Sequence, residues 1–68
     1  MTVYEFMHKM GDYEHFYISV AGKDITNDKS VCLHDIKVHN EEHPQVLDAL
    51  EKQMINFDAV EWVIDCEG

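Results

Sequence analysis

PQVLDALEKQMINF, residues 44–57, is the stretch on which the reading of this chain turns. Leu47, Leu50, Met54 and Phe57 recur at spacings of three, four and three, so on a helix they form one apolar stripe. Val46 and Ile55 flank the stripe, while Gln45, Asp48, Glu51, Lys52 and Asn56 take the remaining surface. The pattern predicts an amphipathic helix from Pro44 to Phe57, with Asp48 and Lys52 as a modest local pair four residues apart. A helix this short is marginal alone, so the stripe needs a surface to lie on, and the flanking sequence reads as a sheet.

Upstream, residues 2–10 alternate, with Tyr4, Phe6, His8 and Met10 on one side and Glu5, Met7 and Lys9 on the other. That is the pattern of a first strand. Gly11-Asp12 supplies a turn, and residues 14–21 form a second strand with Phe16, Ile18 and Val20 on one face, the two joined as a hairpin. Gly22-Lys23-Asp24 either ends that strand or bulges it onward to Thr26, and Asn27-Asp28 is the following turn. Ser30 to His39 reads as a third strand, with Val31 and Leu33 in one phase, Ile36 and Val38 in the other, and a bulge near His34-Asp35 between them.

Two starts fit the helix. Asn40 caps it with Glu41 and Glu42 in the first turn, or His43 caps it with Pro44 at the first helical position. After Phe57, Val60, Trp62, Ile64 and Cys66 alternate with Glu61 and Asp65 as a fourth strand. Following a helical crossover, it is expected to run parallel to a neighbour. The expected fold is α+β: a four-stranded, mostly antiparallel sheet in the order β-β-β-α-β, with one helix packed on one face. Phe6, Ile18, Leu47, Leu50, Met54 and Trp62 are its expected core.

With 68 residues the chain is long enough for one domain, residues 1–68, and too short for both a sizeable core and a deep pocket. No run of signal-peptide or membrane-span length is present, so a cytoplasmic setting is expected. In that setting Cys32 and Cys66 are expected as buried free thiols. Fourteen Asp and Glu against five Lys and no Arg give a formal charge of −9. A phosphate backbone or an anionic membrane demands the opposite sign, so neither is an expected partner.

No motif declares chemistry. Five histidines include His39 and His43 four apart, and Cys32 and His34 two apart, yet HNEEH matches no metal motif. Solvent-facing imidazoles are expected, with no metal and no cofactor. A Cys32-His34-Asp35 set can be written down, but strand neighbours point to opposite faces, and no elbow or glycine-rich loop accompanies it. No catalytic residue is therefore expected. Tyr4, Tyr13, Tyr17 and Trp62 are read as core or interface packing residues, since the charge argues against a base-stacking surface.

The charge is unevenly spread. Residues 1–38 carry six acids and four lysines, a net −2; residues 39–68 carry eight acids and only Lys52, a net −7. The second half is a solubilising face or a mimic of a phosphate run, and the two readings stand side by side. Under the second, Glu41, Glu42, Asp48, Glu51, Glu61 and Asp65 form the partner-binding surface.

In size, charge, expected α+β layout and lack of catalytic residues, the chain resembles the small acidic phage-encoded inhibitors of the anti-CRISPR and anti-restriction kind. The resemblance is one of profile, with no shared motif. It implies a partner with a basic, nucleic-acid-binding surface and action in the host cytoplasm. The competing expectation is a structural or assembly module, a homodimer built through a sheet edge or helix face.

Overall fold

The computed structural model describes residues 1–56 and 62–67. Helix α1 (Val3–Met10) comes first, then strands β1 (Tyr17–Val20) and β2 (Lys23–Asp24). Helix α2 (Leu33–Val38), a 3-10 turn at Asn40–Glu42, helix α3 (Pro44–Lys52) and strand β3 (Val63–Cys66) complete the order. The class is α+β as expected, but the sheet is three-stranded and mixed, in the order β2-β1-β3. β1 pairs antiparallel with β2 and parallel with β3, so the last strand does run parallel to its neighbour.

The expected first strand is a helix. Thr2 and Glu5 form a capping box: the Thr2 hydroxyl accepts from the Glu5 amide at 3.1 Å, and the Glu5 carboxylate accepts from the Thr2 amide at 2.9 Å. Val3, Phe6 and Met7 then fall on one helical face and are buried, a spacing that outweighs the alternation in the same residues. The expected hairpin between the first two strands is lost with it. The hairpin lies one step later, where Ala21 and Gly22, at φ of 54° and 80°, make the two-residue turn between β1 and β2. Gly22 thus ends the strand and starts a second one. The Asn27-Asp28 turn is found where expected, both residues in the left-handed region at φ of 54° and 64°.

The expected third strand is reduced to an isolated antiparallel bridge between Val31 and Phe16, followed by α2. The break in phase after Leu33 marks a helix, not a bulge, because Leu33 and Ile36, three apart, both point inward. The Cys32 sulfur caps α2 by accepting from the Asp35 amide at 3.4 Å.

α3 begins with Pro44 at its first position and His43 at the cap, the second of the two starts proposed from sequence. It ends at Lys52 and not at Phe57. Gln53 turns extended, and its carbonyl accepts from the Val3 amide at 3.2 Å, so the chain beyond pairs with the N-terminus through Met54 and Thr2. Consequently the buried face is Val46, Ala49 and Leu50. Leu47 and Met54, expected in the core, are 38% and 56% exposed.

The core lies between the three helices and the inner sheet face. Val3, Phe6 and Met7 meet Phe16, Ile18, Val31, Leu33, Ile36, Val46, Leu50, Ile64 and Cys66 there, with Phe6 and Phe16 edge to face at 5.7 Å. Trp62, also expected inside, is 55% exposed. Its φ of 70° takes it off the pleat of β3, so the alternation that holds for Ile64 and Cys66 does not reach it. Phe57, Val60 and Glu61 lie outside the described residues. No helix among the described residues is long and apolar enough to cross a membrane.

Candidate functional site

The six acidic residues singled out from sequence fall into three groups. Glu41 and Glu42 stand on the 3-10 turn, and Asp48 and Glu51 on the outer side of α3; all four are exposed. The turn runs directly into α3, so the four carboxylates follow one continuous segment, from the turn to the last turn of the helix. Among residues 40–52 only Lys52 opposes them, held by Asp48 at 2.9 Å in an exposed pair. Such a pair contributes little and leaves the Asp48 carboxylate largely open to a competing cation.

Asp65 belongs elsewhere. It alternates with the inward-facing Ile64 and Cys66, which places it on the opposite face of the sheet. There it accepts from the Ser19 hydroxyl at 3.0 Å, and its carbonyl accepts from the Asn56 amide at 3.0 Å. Asp65 is therefore a half-buried structural residue tying β1 to β3 and to the segment after α3. Glu61 lies outside the described residues.

Two acids of the near-balanced first half also hold the fold. Glu5 closes the capping box, and bonding to Thr2 keeps its carboxyl below the usual range. Asp24 accepts from the Thr26 hydroxyl, from the Thr26 amide at 2.8 Å and from the Asp28 amide at 2.9 Å. These bonds, with the Thr26 hydroxyl foremost, hold the Asp24 carboxyl low and clamp the turn at residues 24–28.

A second feature is aromatic. Tyr13, Tyr17 and Trp62, with Glu14, His15 and Ser30, line an open concavity of about 320 Å³. Tyr13 is 71% exposed and Trp62 55%, so of the core or interface packing read from sequence, the core alternative does not hold for these rings. Tyr4 is not part of this group; it lies under the Lys37 ammonium at 5.5 Å and beside His8.

A third feature was only partly visible in the sequence, which suggested Cys32 and Asp35 but not their partner. His15, Cys32 and Asp35 bring an imidazole nitrogen, a thiol sulfur and a carboxylate oxygen within 4.8 Å of one another. His34, the neighbour suggested by the sequence, instead packs its ring on Tyr13 at 4.9 Å. The residue that completes the group is His15, far away in sequence in the loop before β1; no spacing rule links it to α2. The Phe16–Val31 bridge brings the two together, with each residue's amide donating to the other's carbonyl at 2.8 and 2.9 Å.

Both cysteines are free and buried, as expected, and burial pushes both thiols up. A thiol so placed is a poor nucleophile at neutral pH. Comparison with protein-family models, with curated proteins and with solved structures finds no match to this chain.

Proposed function

We propose that the chain is a small acidic binding protein that inhibits a nucleic-acid-binding partner by occupying its basic surface. The partner class is a CRISPR effector or another host-defence or nucleic-acid enzyme, met in the cytoplasm of the host cell if the protein is phage-encoded. The role is one of binding, without catalysis and without direct contact to nucleic acid or membrane. The observation that supports it is the exposed carboxylate group Glu41, Glu42, Asp48 and Glu51, opposed in its own segment only by Lys52. Like charges following one another along an exposed segment cost folding energy by mutual repulsion, and a basic groove relieves it. The acidic surface in this reading is narrower than the sequence suggested, because Asp65 serves the sheet.

The sheet-edge dimer has less to support it. β2 is two residues long, and the other edge, β3, receives Asn56 and Ile55 along part of its length. Short or covered edges are poor templates for strand addition.

The test is binding to a basic partner recovered from the native host, measured across salt concentrations. Exposed charges are screened over about 8 Å at physiological ionic strength, so the affinity should fall steeply as salt is raised. An affinity indifferent to salt contradicts the reading.

A further inference from the structure

We propose that His15, Cys32 and Asp35 form a zinc-binding site that ties the loop before β1 to the start of α2. Three observations carry it, and none of them depends on the acidic-surface reading. First, the donor set is mixed nitrogen, sulfur and oxygen, which suits Zn²⁺ and its stand-in Co²⁺ and does not suit the hard cations that prefer oxygen alone. Second, the spacing is close to what a metal needs. The His15 Nε2 and Asp35 Oδ2 atoms are 3.5 Å apart. Two ligands at ordinary zinc distances on a tetrahedron lie roughly 3.3–3.6 Å apart. The sulfur lies within 4.8 Å of both, so a shift of about an ångström closes the third edge.

Third, a hydrogen-bond donor for a metal-bound sulfur is already in place. The Asp35 amide already donates to the Cys32 sulfur at 3.4 Å, and a hydrogen bond of this kind disperses thiolate charge in a metal site. Cys32 is 2% exposed, which fixes its sulfur, whereas His15 and Asp35 are about half exposed and open the site to solvent. Three protein ligands leave a fourth position facing water, on the side where His15 also lines the aromatic concavity. On binding, the Cys32 thiol proton leaves to solvent and the sulfur takes the metal. One thiolate and one carboxylate then balance the charge of Zn²⁺.

The experiment titrates Co²⁺ into the reduced, metal-free full chain. One equivalent should produce the near-ultraviolet sulfur-to-cobalt absorption together with the visible bands of a tetrahedral ion, and Zn²⁺ should abolish both. Cys32→Ser should lose the sulfur band while keeping its far-ultraviolet circular dichroism, because a serine hydroxyl also caps α2. His15→Gln, at an exposed loop position, should weaken binding by about tenfold or more, as should Asp35→Asn. Cys66→Ser and the double variant His39→Gln/His43→Gln should bind as the parent does. The proposal fails if no sulfur band appears, if Cys32→Ser retains it, or if the His39/His43 variant removes the binding that His15→Gln leaves intact. Should Cys32→Ser unfold, His15→Gln decides the matter.

Discussion

Ala21 sits at φ of 54°, in a region that costs an L-residue with a side chain roughly 1–2 kcal/mol. It is the first residue of the β1–β2 turn, and its amide donates to the Cys66 carbonyl at 2.9 Å, so the conformation is enforced from both sides. Asn tolerates this region, so Ala21→Asn should stabilise the chain by about 1 kcal/mol, a rise in Tm of roughly 4–8 °C for a domain of this size. A melting curve checks this, and a fall in Tm would show that the turn is built differently. Asp24 works in the opposite sense. Its folded carboxyl is held below the ordinary value by the Thr26 hydroxyl and the Thr26 and Asp28 amides. Its contribution is thus fully present above the unfolded value of about 4 and is lost as pH falls through the lower folded value. Asp24→Asn should lower stability at pH 7 and flatten its decline below about pH 4, readable from urea midpoints across that range. A decline as steep as the parent's would place the acid sensitivity elsewhere.

At the scale of elements, residues 2–10 satisfy two periods at once. Tyr4, Phe6 and His8 alternate, while Val3, Phe6, Met7 and Met10 follow a helical repeat. The signal that separates the two is Thr2-x-x-Glu5, a capping box written in the sequence. Thr2→Ala should therefore destabilise the chain by about 1 kcal/mol, whereas a strand would be nearly indifferent to it. What was legible from local chemistry is the Phe16/Ile18 face, the Asn27-Asp28 turn and Pro44 as one of two starts for α3, and the crossover rule added a final strand parallel to a neighbour. What was not legible depends on contacts distant in sequence. The face of α3 is set by the helix ending at Lys52, and that end is set by pairing with the N-terminus. Hence Leu50→Ala should cost about 2–5 kcal/mol, and Leu47→Ala well under half as much, although both residues stood on one stripe in the sequence. Equal losses in urea denaturation would restore Leu47 to the buried stripe read from the sequence.

Across the described residues, three helices and a small mixed sheet share one core. The proposed mimicry surface is the segment bearing Glu41, Glu42, Asp48 and Glu51, whereas Asp65 hydrogen-bonds within the sheet. It also changes which acids make a fair control. Glu5 and Asp24 hold a helix cap and a turn, so reversing them would report on folding and not on the interface. Glu14, exposed in the loop before β1 and outside the acidic segment, is the better comparison. The acidic group was legible in the sequence as a charge imbalance, because net charge needs no fold. Its division between a surface and a structural hydrogen bond needed the register that pairs Ser19 with Asp65. The measurement that bears most directly on the proposed function is the affinity for the host partner across a salt series, for the parent, for the quadruple reversal Glu41→Lys/Glu42→Lys/Asp48→Lys/Glu51→Lys, and for Glu14→Lys. The account expects steep salt dependence in the parent, a shallow slope and much weaker binding in the quadruple variant, and near-parental behaviour in Glu14→Lys, with Tm little changed throughout. A salt-indifferent parent, or equal losses from both reversals, would contradict it.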